Sequence, residues 1–189
     1  LRSTIDYSKI NSISRLSVAG AGHLGYENLP ALEKLWISGS SRHNDFSNIS
    51  CSTLLKDVTM MQCGIKTLNG INKHPQIQDL AMYHCRSLSD ISALVQVSKT
   101  LRSLTVESCP SITDFSVLEK LHELEHLHLY GNNVLPNLGF LHGMEKLVTF
   151  CFTMNVQDGE VSLCRDIPYV SCKNRKHYNT KDRNLPKDH

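Results

Sequence analysis

The segment His122-Glu123-Leu124-Glu125-His126 is the most suggestive arrangement of chemistry-bearing residues in the chain. Two imidazoles four residues apart on a helix can share a Zn²⁺ ion, with the intervening glutamate activating a metal-bound water. That chemistry needs a helix. Leu124, however, opens an apolar pattern of period two, which predicts a strand and puts one histidine in a loop and the other on a strand face. The seven cysteines are the next candidates: Cys51, Cys63, Cys85, Cys109, Cys151, Cys164 and Cys172. An odd number leaves at least one thiol unpaired within the chain. Cys63, Cys85 and Cys109 recur at a near-constant spacing that predicts an interior ladder, and Cys151, Cys164, Cys172 and His177 match no common zinc-finger spacing. There is no phosphate-binding glycine loop, no G-x-S-x-G, and no Cys–His pair with an evident orienting group. No catalytic residue, cofactor or metal ligand is therefore expected.

The elements that place these residues come from a repeat. The pattern apolar–x–x–apolar–x–apolar fits Ile13-Leu16-Val18, Leu32-Leu35-Ile37, Leu55-Val58-Met60, Ile77-Leu80-Met82, Leu101-Leu104-Val106, Leu124-Leu127-Leu129 and Leu147-Phe150-Phe152. Successive copies start 19 to 24 residues apart, and an eighth, degraded copy starts at Ile167 with Val170 and Cys172. A fixed period over most of a chain is the mark of a solenoid. The alternating part of each copy predicts a short strand with one buried face.

Three residues past the last apolar position stands Ala21, Ser40, Cys63, Cys85, Cys109, Asn132 or Asn155. A side chain turning inward there must satisfy loop backbone groups, which Asn does with its amide and Cys or Ser more weakly. Further on, Asn44-Asp45-Phe46-Ser47, Ser89-Asp90-Ile91-Ser92 and Thr113-Asp114-Phe115-Ser116 recur, and their Asp and Ser can start a helical turn. A copy of about 22 residues has room for one strand and one turn of 3-10 or α helix. Each buries its apolar face only against its neighbours, so the copies stack.

The segment Leu101-Arg-Ser-Leu-Thr-Val-Glu-Ser-Cys109, followed by Ile112-Thr-Asp-Phe-Ser-Val-Leu118, resembles the leucine-rich-repeat family, and is most similar to the short-repeat class of bacterial internalin-like proteins. Cysteine at the inward site departs from the usual Asn. The resemblance covers roughly Ile13 to Cys172. It implies an α/β solenoid of seven to eight copies with a parallel sheet on its concave face, and a role in binding other proteins.

Strand residues that alternate with the buried ones face outward from that sheet. They read as Arg15, Lys34, Asp57, Asp79, Ser103, His126 and Thr149; then Ser17, Trp36, Thr59, Ala81, Thr105, His128 and Cys151; then Ala19, Ser38, Met61, Tyr83, Glu107, Tyr130 and Thr153. Aromatic and Met side chains supply much of the energy of protein interfaces. The expected partner-binding set is Lys34, Trp36, Asp57, Met61, Asp79, Tyr83, His84, Glu107, His126, His128 and Tyr130.

The 189 residues are 40% hydrophobic and carry a net charge of +2, too weak to argue for nucleic acid or a membrane surface. No stretch is apolar enough to span a bilayer, and the first residues do not read as a signal peptide. Residues 173–187 hold six basic side chains against Asp182, read as a solvated end segment rather than a docking tail. The domain reading is an N-terminal remnant or cap over 1–12, a solenoid over 13–166, and a degraded repeat, cap and basic tail over 167–189. The expected function is reversible, non-catalytic binding of a protein by a cytoplasmic chain that is monomeric when free. Stand-alone leucine-rich-repeat proteins include immunity proteins, and the family includes nuclease inhibitors, which makes a toxin or enzyme the favoured partner. The alternatives are an internalin-like adhesin and a scaffold fragment of a larger protein.

Overall fold

In the computed structural model, which describes residues 7, 10, 12–20, 25–39 and 43–188, each apolar alternation is a strand. The eight strands β1 (Arg15–Ala19), β2 (Lys34–Ser38), β3 (Asp57–Met61), β4 (Asp79–Tyr83), β5 (Ser103–Glu107), β6 (His126–Tyr130), β8 (Thr149–Phe152) and β10 (Tyr169–Cys172) form one sheet, each pairing in parallel with the next. The two-residue strands β7 (Val134–Leu135) and β9 (Asn155–Val156) pair beside it. The chain returns between strands through loops and short 3-10 turns, such as Ser92–Val97, Ser116–Lys120 and Gly139–Gly143. This is a leucine-rich-repeat solenoid.

The register joins equivalent residues of successive copies, so Leu35, Val58, Leu80, Leu104, Leu127, Phe150 and Val170 form one row of the core. All are at most 2% exposed. Full burial of each such side chain stabilises the fold by about 1.5–3 kcal/mol. At the N-terminal edge Leu16 is only half-buried.

The backbone leaves the strands in a repeated way. Gly20, Gly39, Gln62, His84, Ser108 and Gly131 each follow a strand and have positive φ. The amides of Gln62, His84 and Ser108 donate to the carbonyls of Tyr83, Glu107 and Tyr130, extending the ladder one residue past the strand. The turn then aims Cys63, Cys85 and Cys109 inward, where their thiols donate to the carbonyls of Ile37, Met60 and Met82, one repeat back, at 3.6, 3.8 and 3.6 Å. Cys85 and burial together push the Cys109 thiol up.

Two of the expected inward residues are corrected. Asn132 is exposed, and Asn133 donates instead to the carbonyls of Cys109 and Ile112, at 3.1 and 2.7 Å. In the next copy Asn155 lies half-exposed on β9 and Met154 fills the interior. The inward position thus moves one residue later after β6, where Gly131 adopts φ 140°, and one residue earlier after β8. Ala21 and Ser40 lie outside the described residues.

The Asp-Ser elements work as expected. Asp45, Asp90 and Asp114 each accept the amide two residues on, and Asn137 and Asp158 repeat the bond in later copies. Hydrogen bonds from Ser92 and Ser116 hold the Asp90 and Asp114 carboxyls below the ordinary range.

The end segment is not a solvated exit. Tyr178, Thr180 and Leu185 are buried, and the Tyr178 hydroxyl donates to Met154 O at 3.2 Å and accepts from Val156 N at 3.0 Å. The last residues return antiparallel along β10, with Val170 N on Pro186 O and Asp188 N on Pro168 O, and cover its open edge. Gly159, at φ 72°, lets this cap approach: a Cβ there would lie 2.5 Å from His177 O.

Candidate protein-binding face

Parallel pairing turns the outward strand residues into columns. One runs Arg15, Lys34, Asp57, Asp79, Ser103, His126, Thr149 and Tyr169; the next runs Ser17, Trp36, Thr59, Ala81, Thr105, His128, Cys151 and Ser171. The third runs Ala19, Ser38, Met61, Tyr83, Glu107 and Tyr130. Ten of the eleven expected residues thus share one sheet face. His84 falls in the left-handed turn beyond β4, outside these columns, and its side chain is exposed.

The face divides along the solenoid. At its N-terminal end Lys34 Nζ meets Asp57 Oδ2 at 3.1 Å, and Trp36 stands half-exposed beside a depression of about 460 Å³ bounded by Arg15, Lys34, Asp57 and Thr59. In the middle, Met61, Tyr83, Glu107 and Tyr130 line up half-exposed. Asp79 has no hydrogen-bond or ion-pair partner among the described residues. Burial and the neighbouring Asp57 push its carboxyl above the ordinary range.

Toward the C-terminal end the outward side chains contact one another. His128 Nδ1 lies 3.2 Å from Thr105 Oγ1, and its ring stacks on Tyr130. Burial, reinforced by His126, pushes the His128 imidazole down. Burial and contact with Cys151 push the Tyr130 phenol up to about 12. Thr105 and Cys151, expected to face outward freely, are each only 8% exposed because the histidine and tyrosine rings crowd them. Tyr169 and Ser171 extend the face, and Lys187 Nζ sits 5.7 Å from the Tyr169 ring centroid. The apolar spacing from Ile167 already marks these residues as outward. The Lys187 contact, made by the returning cap, has no signal in the repeat.

The H-E-x-x-H segment is not a helical pair. Leu124 is fully buried, His126 lies on β6, and His122 Nδ1 turns to Gly143 O at 2.8 Å. All seven cysteines are free thiols. No helix among the described residues is long and apolar enough to cross a membrane.

No family model matches the chain, and no curated protein does. Among solved structures the chain is similar to the crystal structure of an internalin (InlF) from Listeria monocytogenes, with 14% identity and a TM-score of 0.41 over 78% of this chain and 58% of that one. The chain thus spans less than two thirds of that structure's length.

Proposed function

We propose that the chain is a non-catalytic binding module that holds a protein partner against its concave sheet face, and that the partner is a toxin or enzyme it neutralises by stoichiometric capture. The observation that carries the reading is the alignment of Trp36, Met61, Tyr83, Tyr130 and His128 on one face, half-exposed on strands whose opposite side is fully buried. Large rings held on a packed sheet lose little conformational freedom when a partner covers them, so more of the contact energy appears as affinity. A long, ordered surface also suits inhibition, because it can cover a partner's active cleft without supplying any chemistry.

The test is affinity capture on the immobilised chain, from lysate of its own cells and with the product of the adjacent gene, in parallel with the Trp36→Ala/Tyr83→Ala variant. The expected result is one stoichiometric partner with toxic or enzymatic activity that falls on binding and is lost from the variant column. A partner held equally by both columns would move the site off this face. A partner whose activity is unchanged when bound would remove the inhibitor role and leave a binding module.

A further inference from the structure

The C-terminal cap carries a second feature that the concave face does not use. Arg175, Lys176, Lys181, Arg183 and Asn174 surround an open cavity of about 420 Å³. No carboxylate among the described residues lines it. Asp182, the one acid in residues 173–187, turns its Oδ1 to Cys172 N at 2.7 Å and to Lys187 Nζ at 2.8 Å. Outside this segment the chain has 14 basic and 17 acidic residues, so the cluster is a local excess of positive charge on an otherwise slightly acidic protein.

Several of these side chains are anchored by bonds to backbone groups. Asp182 N donates to Asn174 Oδ1 at 2.8 Å, which ties down the amide oxygen and leaves the amide NH₂ as a donor. Lys181 Nζ donates to Arg175 O at 3.0 Å, with two of its three protons left over. Arg175 Nη2 donates to Thr153 O at 3.0 Å, while its Nε is buried with no hydrogen-bond partner among the described residues. None of the four cations has an ion-pair partner among the described residues. Four cationic side chains that line one cavity repel each other, and an anion taken up among them relieves that repulsion.

We propose that this cavity binds a phosphoryl dianion. Guanidinium forks and ammonium groups match the several oxygens and double charge of a phosphoryl group better than the single charge of a carboxylate. The phosphoryl group is carried either by a small polyphosphate or by a phosphorylated side chain of a protein.

The experiment is calorimetric titration of the intact chain with inorganic pyrophosphate and, separately, with a phosphoserine peptide, its unphosphorylated form serving as control, all at constant ionic strength. The variants are Lys176→Gln/Arg183→Gln, both exposed, and Lys120→Gln, which lies outside the cavity. Saturable binding to the wild type and to Lys120→Gln, weakened about tenfold or more in the double variant at unchanged melting temperature, is expected. Tighter binding of the phosphopeptide than of pyrophosphate identifies the carrier as a protein, and the reverse order identifies a free polyphosphate. Absence of saturable binding by either ligand, equal binding by the double variant, or equal binding of the unphosphorylated peptide overturns the proposal.

Discussion

The rings of His128 and Tyr130, two residues apart on β6, lie within 8° of parallel with their centroids 6.0 Å apart. Alternate residues of a strand share a face, so this stack stands on the outside of the sheet while Leu127 and Leu129 anchor the same strand in the core. Trp36 and Tyr83 stand on the same face four and two strands away. Replacing Trp36 and Tyr83 together by alanine removes two of the largest side chains of the proposed contact surface without touching a buried residue. The expected outcome is a loss of more than about 2 kcal/mol in partner affinity with the melting temperature held, measured by calorimetry and thermal unfolding. Unchanged affinity would move the contact elsewhere.

Asp79 should show opposite effects on stability and on binding. Burial and Asp57 raise its folded-state pKa, so the folded protein holds this proton more tightly than the unfolded chain does. Ionisation therefore costs stability as pH rises through the unfolded value of about 3.9, and the cost persists at neutral pH. Asp79→Asn should be slightly more stable than wild type at pH 7, by less than about 1 kcal/mol because solvent still reaches and screens this partly covered carboxylate, with no difference near pH 3. The same variant should bind the partner more weakly and with a smaller salt dependence if a basic side chain meets Asp79. Chemical denaturation at both pH values checks the first effect and titration across ionic strength the second.

His74 sets an acid limit. It is fully buried, its ring meets Phe46 edge-on, and Nδ1 lies 2.8 Å from Ser52 O, so the ring N–H sits on Nδ1 and Nε2 has no partner among the described residues. Burial pushes its pKa below 6.5, against the opposing pull of the Ser52 bond. The unfolded chain then binds the extra proton first. Stability is complete above about pH 6.5 and falls as the pH drops below it, by no more than about 1.4 kcal/mol per pH unit for one proton. His74→Asn keeps a donor for Ser52 but cannot titrate. It should lower stability at every pH and flatten the pH 5 to 7 slope, and a slope equal to wild type would assign the acid sensitivity to another group.

The columns of the outward sheet face are legible in the sequence because the side-chain period of a strand is two and the repeat sets equivalent positions side by side. Lys34, Asp57 and Asp79 were aligned by spacing alone, and the register aligns them in the same way. The inward site was less legible. It depends on how the chain leaves the strand, and after β6 the role passes from Asn132 to Asn133 without any change in the apolar spacing. The cap was least legible. Tyr178 and Leu185 belong to no repeat, and six basic residues in a short segment read as solvated. What folds it is long-range pairing with Met154, Val156 and Val170, which composition does not record.

Thiol reactivity separates the ladder from the surface. Cys51 is exposed, Cys85, Cys109 and Cys164 are fully buried, and burial pushes the Cys164 and Cys172 thiols up to about 12 and about 11. A reagent must reach the sulfur to react with it, and a fully buried sulfur is shielded whatever its charge. In native protein at pH 8 a thiol reagent should modify Cys51 quickly and Cys172 slowly, and reach Cys85, Cys109 and Cys164 only on unfolding. Peptide mass mapping after timed quenching reads the order. Rapid native labelling of Cys85 would mean that the interior ladder opens.

Gly159 decides whether the cap stays down. Its φ of 72° disfavours a side chain, and an added Cβ would meet His177 O at 2.5 Å and the His177 ring at 3.0 Å. The cap cannot yield easily there, because Asn179 N donates to Gly159 O and His177 Nε2 lies 2.9 Å from Val156 O on either side of the clash. Gly159→Ala should cost about 2 kcal/mol or more, combining left-handed strain with a displaced backbone contact. The loss should be local. Amide exchange should speed up at Val170 and Asp188, which pair the cap to β10 and its approach, and stay slow at Leu104 and Leu127 in the middle of the sheet. Exchange that rises equally across all four would show that cap and solenoid unfold as one unit, and exchange unchanged at Val170 would show that the edge pairing holds the cap without the Gly159 contact.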